Sequence, residues 1–243
     1  IDDQPDDLDV STGNPDLDIE TSDGIDAGFE IALPENGVMG INGFYRRVQD
    51  AIQLVDLGPT GETELDDGDL IVGDAFTFDN VGDADVWGFE FDLSTPLSFV
   101  GLPNTGFFAN YTYLRSELDN TFTGTEVQLN DQPDFVFNLG GTHNIPDWGV
   151  TLGASYQRQG EAFSFFRDEI ERQETSANLE AFVEKRLLDG VIIRLSANNI
   201  LDARTLQSEE NFEGAITGGD LDNFEVEREE AQRRIQLTIR AVF

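Results

Sequence analysis

Phe163, Phe165, Phe166 and Arg167 crowd into one polar stretch near residues 160–173, and no other local set is as well equipped to hold a solute. Rings beside a guanidinium can stack on an organic ligand and pair its acidic groups. The same four residues could instead pack their loop against the rim of the framework beneath, and the sequence leaves both readings open. Two acidic runs, Asp2–Asp9 and Glu62–Asp69, raise the question of Ca²⁺, which takes about six to eight oxygen ligands. Asp7, Asp9 and Ser11 alternate as at the start of an EF-hand loop, but Gly13 falls one place late and no Glu stands at the twelfth position. Solvated loop charge is the plainer reading of both runs. His143 is the single histidine, and one imidazole assembles neither a zinc site nor a catalytic triad. Cysteine is absent, and neither a Gly-rich phosphate loop nor a nucleophile motif occurs. The expectation is a protein without catalytic residues and without a resident cofactor.

Composition narrows the partners. The 243 residues carry a formal charge of −35, with 49 acidic residues against 14 basic ones. Nucleic acid is excluded as a partner, because phosphate neutralisation needs clustered Lys and Arg, and Lys185 is the only lysine. Such charge alone would suggest disorder, yet nineteen Phe and a 39% hydrophobic share argue for folded structure. Ordered strands separated by acidic loops reconcile the two. No apolar run approaches the ~18 residues of a membrane-spanning helix.

The elements that must position these residues show period-two alternation, the mark of strands with one greasy and one wet face. Ile235, Leu237, Ile239, Ala241 and Phe243 oppose Arg234, Gln236, Thr238 and Arg240. Equivalent sets begin at Ile25, Trp87, Phe107, Phe135, Val150, Leu179 and Val191, and a further strand covers about 38–53 with ambiguous faces. That predicts nine strands. Their connections alternate in length: short turns at Pro34–Gly37, around Pro96–Asn104, at Pro146–Trp148 and at Leu188–Gly190, long polar loops near 54–79, 117–132, 160–173 and 203–225. Short turns at one end and long loops at the other are the two ends of an outer-membrane barrel. Trp87, Tyr45, Tyr111, Tyr113, Trp148 and Tyr156 suit its interfacial girdles. The final strand then descends towards the periplasm, and residues 1–20 form an extracellular loop. An odd strand count that starts outside implies an incomplete barrel, since bacterial barrels have an even number. Two open edges in lipid would cost tens of kcal/mol, against a typical stability of ~5–15 kcal/mol. The rival is a soluble or surface-displayed all-β protein, such as a calcium-dependent adhesin, with its apolar faces packed together inside.

Several segments resemble one family in order. Gly13-Asn14-Pro15-Asp16-Leu17 followed by Glu20-Thr21-Ser22 is similar to the NPxLxPE segment of TonB-dependent receptors, although Asp18 stands where the family has Lys or Pro. Gly43-Phe44-Tyr45-Arg46-Arg47-Val48-Gln49-Asp50-Ala51-Ile52 resembles its FYxxxxDxI strand. Asn80-Val81-Gly82 leading to Val86-Trp87-Gly88-Phe89-Glu90 resembles NxGxAxxxGxE, Leu195-Ser196-Ala197-Asn198-Asn199-Ile200-Leu201-Asp202 resembles xNNLFD, and Phe243 supplies a terminal aromatic. The resemblance implies an all-β, antiparallel transmembrane barrel, of which residues 1–243 would be about nine C-terminal strands out of a presumed 22, with the plug domain and its TonB-contacting box lying elsewhere. It implies an importer in the outer membrane of a Gram-negative bacterium, energised by TonB through the plug. An Fe(III)-siderophore is its default solute, with saccharides or cobalamin open. Partners would be lipid and lipopolysaccharide outside, and the plug and the rest of the barrel alongside. Asn110, Thr112, Asn138, Arg194 and Asn198 would line the hydrated interior.

Overall fold

The computed structural model describes residues 10–64, 70–120, 123–166, 168–188, 190–213 and 216–241. The first half contributes β1 (Val10–Thr12), β2 (Thr21–Leu33), β3 (Gly37–Glu64), β4 (Leu70–Leu97), β5 (Leu102–Asn120), β6 (Thr125–Val127) and β7 (Phe135–Ile145). Then follow β8 (Val150–Gln159), β9 (Ala162–Phe165), β10 (Glu169–Thr175), β11 (Asn178–Leu188) and β12 (Val191–Asn198). The chain closes with β13 (Arg204–Phe212), β14 (Leu221–Glu230) and β15 (Arg234–Ala241). Among the described residues the main sheet has the order β15-β12-β11-β8-β7-β5-β4-β3-β2, and β1 and β6 attach to its side. These nine neighbours are the nine strands that alternation marks. Every pairing along the path is antiparallel, whereas β1 pairs parallel with β4.

One end of the sheet is closed tightly. Pro34–Asn36, Ser98–Val100 and Pro146–Trp148 each form a single 3₁₀ turn. Gly101 and Gly149 follow two of them with φ of 84° and 58°, a left-handed geometry open to glycine. The other end grows well beyond what a bilayer needs. β3 and β4 are 28 residues each, against the ~9–11 that cross a membrane, and they stay paired out to Glu64 and Leu70. Here the structure departs from the long loop expected near 54–79. It also replaces much of the loops near 160–173 and 203–225 with a separate four-stranded sheet, order β14-β13-β10-β9. The reason is physical: outside lipid a hairpin needs only its backbone ladder, so both faces can be polar and hydropathy does not reveal it.

Register fixes which side chains share a face. Phe29, Ile41, Phe91, Tyr111 and Phe137 align across five strands, and Ile31, Met39, Leu93, Ala109, Leu139 and Tyr156 align in the next row. Further along, Leu152, Val183, Leu195 and Leu237 make another. The whole apolar set therefore lies on one side. It is open rather than dry: Ile25 is 67% exposed, Phe29 55%, Leu195 45% and Ile235 76%. A packed sandwich would bury these side chains against a second sheet, and among the described residues none covers them. From Ile25 to Leu33 the apolar row runs about 27 Å along the strand, so at a tilt of about 40° it stands about 21 Å tall and covers most of a barrel's ~25 Å apolar band. Aromatic contacts knit this face together, with ring centroids of Phe89 and Tyr111 5.7 Å apart and those of Phe137 and Tyr156 6.4 Å apart. Beyond the band, Ala51, Val55, Val81, Ala84 and Leu118 form a small buried core where the arms of β3, β4 and β5 continue outward.

Candidate functional site

Three of the family-like segments meet in space. Asn80 donates from Nδ2 to the carbonyls of Asp18 (3.2 Å) and Asp50 (2.7 Å), while its Oδ1 accepts from the Asp18 amide at 2.8 Å. Asn14 donates to the Phe78 carbonyl at 3.1 Å and accepts from the amide of Asp16. Glu20 accepts from the Ile52 amide at 2.9 Å. Together they grip a bulge in β3, where register shifts between Val48 and Ala51 and Asp50 adopts φ of 56°. A bulge leaves backbone groups unpaired, and Asn80 and Glu20 supply the missing partners. Asn199 does similar work near the other edge: 7% exposed, it accepts from the Ala203 amide at 2.6 Å and donates to the Ala231 carbonyl. That fixes the point where β13 leaves the wall and β15 returns to it.

The face opposite the apolar one is polar. Register places Asn110 with Asn138 and Asp92, and Thr112 with Glu90 and Val136. Arg194 pairs with Thr238 and Asn198 with Arg234, so all five residues expected along a hydrated interior share this side. Arg46 meets Asp26 at 2.8 Å, and Arg194 stacks on the Phe182 ring at 3.7 Å. Three rings on this side, Phe44, Phe108 and Phe182, lie flat over Gly88, Gly140 and Gly153. A Cβ on Gly140 would come within 2.7 Å of both the Phe108 ring and the Ala154 carbonyl. The glycines let the rings lie down, keeping the wall low.

The separate sheet prolongs this polar face outward. Gln159 donates to Thr175 Oγ1 at 3.4 Å, and Thr175 is in register with Thr205, which is in register with Glu229. Moving out along the same side come Gln173, Gln207 and Glu227, then Glu171, Glu209 and Glu225. The last row sets three carboxylates side by side. Burial holds the carboxyls of Glu169 and Glu171 above their ordinary value; Glu209 and Glu171 raise Glu169 further, and Asp131 and Glu209 raise Glu171. Glu161 goes the other way, held low by a hydrogen bond from Arg172.

The sequence-derived set divides here. Phe163 and Phe165 are in register with Arg172 and Ile170, on the side opposite the glutamates, and their rings stack with centroids 6.4 Å apart. Phe166 instead lines an outer cleft of about 440 Å³ with Phe76, Phe212, Asp168, Glu169 and Glu209. Arg167 lies outside the described residues, as do Asp2–Asp9 and much of Glu62–Asp69. Among the described residues no three His, Cys, Asp or Glu are arranged to hold a metal ion. His143 meets the Thr105 hydroxyl through Nδ1 at 2.7 Å, a cross-strand contact. Sequence reasoning missed Phe76, Phe212 and Glu209, which come from other loops and have no local pattern to mark them.

Comparison with known proteins agrees with this architecture. A family model described as TonB dependent receptor-like, beta-barrel matches residues 3–200. Among solved structures, the ferric-catecholate import receptor Fiu of E. coli K12 aligns with a TM-score of 0.63 at 14% identity, over 95% of this chain and 29% of that one. The ferric enterobactin receptor PfeA of Pseudomonas aeruginosa gives 0.57 at 20% identity, over 92% and 31%. The siderophore receptor PirA of Acinetobacter baumannii gives 0.56 at 18%, over 79% and 29%. The chain thus spans under a third of the length of each, and identities this low speak to fold alone. No curated protein matches in sequence. The family consists of outer-membrane transport receptors, not enzymes, and its barrel accounts for the two-faced sheet and for the tight turns facing long hairpins. By that family match over most of its length, this chain belongs to the TonB-dependent receptors.

Proposed function

We propose that the chain forms an arc of the wall and outer vestibule of an importer in the outer membrane of a Gram-negative bacterium. The observation that carries the reading is the two-sided sheet: an exposed apolar face of bilayer height, backed by a polar face that continues outward into a cleft-bearing sheet. Lipid and lipopolysaccharide would meet the apolar side. The rest of the barrel would pair along β2 and β15, and a plug would sit against the polar side and relay energy from TonB. The solute class is an Fe(III)-siderophore, with Phe166 touching it from the outer cleft and Phe163 and Phe165 bracing the hairpin behind it. Support for that class comes from the solved receptors that share the fold, and support for the site comes from the rings around the cleft.

The test is iron uptake by the complete natural polypeptide in a Gram-negative host stripped of its own siderophore receptors. Radioactive iron delivered as catecholate, hydroxamate and carboxylate chelates should enter with at least one of them, and only when TonB is present. Phe166→Ala should weaken that uptake severalfold with surface levels unchanged. Uptake of no chelate, or uptake indifferent to TonB, would overturn the reading.

A further inference from the structure

The outer cleft that Phe166 lines has a marked chemical bias. Three rings reach it from separate segments: Phe76 from the outer arm of β4, Phe166 from just after β9, and Phe212 from the end of β13. Asp168, Glu169, Glu171 and Glu209 stand among them, and the rest of the lining, Gln207 and Asn211, is uncharged. All nine residues are partly exposed, so a solute entering the cleft can touch them.

Among the described residues no lysine or arginine lines the cleft. Arg172 is in register with Phe163 on the other face of β10, where it pairs with Glu161 at 2.7 Å and with Glu174 at 3.7 Å. Arg167 precedes Asp168 in the sequence, but one guanidinium against four carboxyl groups leaves an excess of acid. Glu171 and Glu209 face each other directly across β10 and β13. The carboxyls of Glu169 and Glu171 are raised by burial and then by neighbouring carboxylates, with no cation to offset either cause.

Like charges held together oppose folding, and a guest that brings positive charge relieves them. An anionic guest would add a further like charge. A bare metal ion does not suit the place, since among the described residues no three His, Cys, Asp or Glu are arranged to hold one. The rings choose among the remaining cations, because an aromatic face attracts an organic ammonium or guanidinium group within about 6 Å of its centroid. A cavity of about 440 Å³ has room for such a group and the carbon chain that carries it.

We infer that the outer cleft selects solutes that present an ammonium group, held among Phe76, Phe166 and Phe212 and paired with Glu171 and Glu209, and turns anionic solutes away. The inference rests on the reading of this cleft as the importer's solute site, and it narrows the chelate to one with a positively charged end.

Its test is calorimetric titration of the complete natural polypeptide in an uncharged maltoside detergent at physiological salt, with neither iron nor TonB present. Three probes share one carbon chain and differ only at its ends: 1,5-diaminopentane, 1,5-pentanediol and glutarate. The diamine should bind saturably and about tenfold or more tighter than the diol, as expected for hydrogen bonds to charged groups, and glutarate should not bind. Glu171→Gln and Glu209→Gln, which remove charge at constant shape, should each weaken diamine binding about tenfold, and Phe212→Leu about threefold. Asp147→Asn, in a tight turn at the opposite end of the sheet, should leave it unchanged. Binding of no probe, equal affinity for diamine and diol, or a preference for glutarate overturns the inference, even in a receptor that imports iron normally through TonB. So does diamine binding indifferent to Glu171 and Glu209, or weakened as much by Asp147→Asn, which would be attraction to the chain's overall charge. Diamine binding that depends on Glu171 in a receptor importing no iron would uphold the cleft's preference while the importer reading fails.

Discussion

Asn80 shows how a single side chain can hold a barrel together. Its amide satisfies three backbone groups on two segments that are distant in sequence, at Asp18 and Asp50. Asn80→Ala leaves those groups to find water, and stability should fall by about 1–3 kcal/mol. Urea unfolding followed through Trp87 and Trp148 fluorescence would measure it, and a loss below the error of the method would show the clamp to be idle. The sequence displayed Asn14, Glu20, Asp50 and Asn80 as parts of separate patterns, yet gave no sign that they touch, because contact between distant residues is a property of register. The same limit explains the divided binding set. Phe163, Phe165 and Phe166 look like one cluster in sequence, but strand alternation sends the first two to one side, and the hairpin bend carries the third into the cleft.

At the level of elements, the wall strands were legible because one side of each must be greasy, and that demand writes a period of two into the sequence. The outer sheet carries no such period, because outside lipid either face of a strand can be polar. Its most unusual row is Glu171, Glu209 and Glu225, three like charges on neighbouring strands. Directly opposed like charges destabilise a pair by roughly 0.2–1 kcal/mol. The direction with pH follows from the raised carboxyls of Glu169 and Glu171. The folded sheet holds protons more tightly than the unfolded chain, so its stability rises as pH falls through the raised values towards the ordinary glutamate value near 4.5. Glu161 opposes this only lower down, losing its contribution as pH falls through its depressed value. Glu171→Gln should therefore protect the amides of β10 and β13 at neutral pH and flatten the rise on acidification. Hydrogen exchange measured at pH 7.5 and pH 5.5 reads both effects, and unchanged protection at both would count against the row as a source of strain.

For the molecule as a whole, everything turns on what lies against the apolar side. Among the described residues β2 and β15 each have a partner on one side only, and free N–H and C=O groups cannot be left facing hydrocarbon. This arc can persist in a bilayer only with further strands along both edges, so its stability belongs to a closed barrel. Inside such a barrel the two faces should respond oppositely to charge. Ile41 sits mid-row on the apolar side, level with Phe29 and Phe91. An arginine there should cost about 2–4 kcal/mol, the penalty for a cation near the middle of the bilayer. Thr112 is on the polar side opposite Glu90, so Thr112→Arg gains a carboxylate neighbour and water, and its cost should stay within about 0.5 kcal/mol, as for ordinary surface changes. The comparison calls for the complete polypeptide folded into phospholipid vesicles, with reversible denaturant titration of each variant. Equal costs at Ile41 and Thr112 would show that both faces meet the same medium, and no reading of this chain as a membrane wall would survive that result.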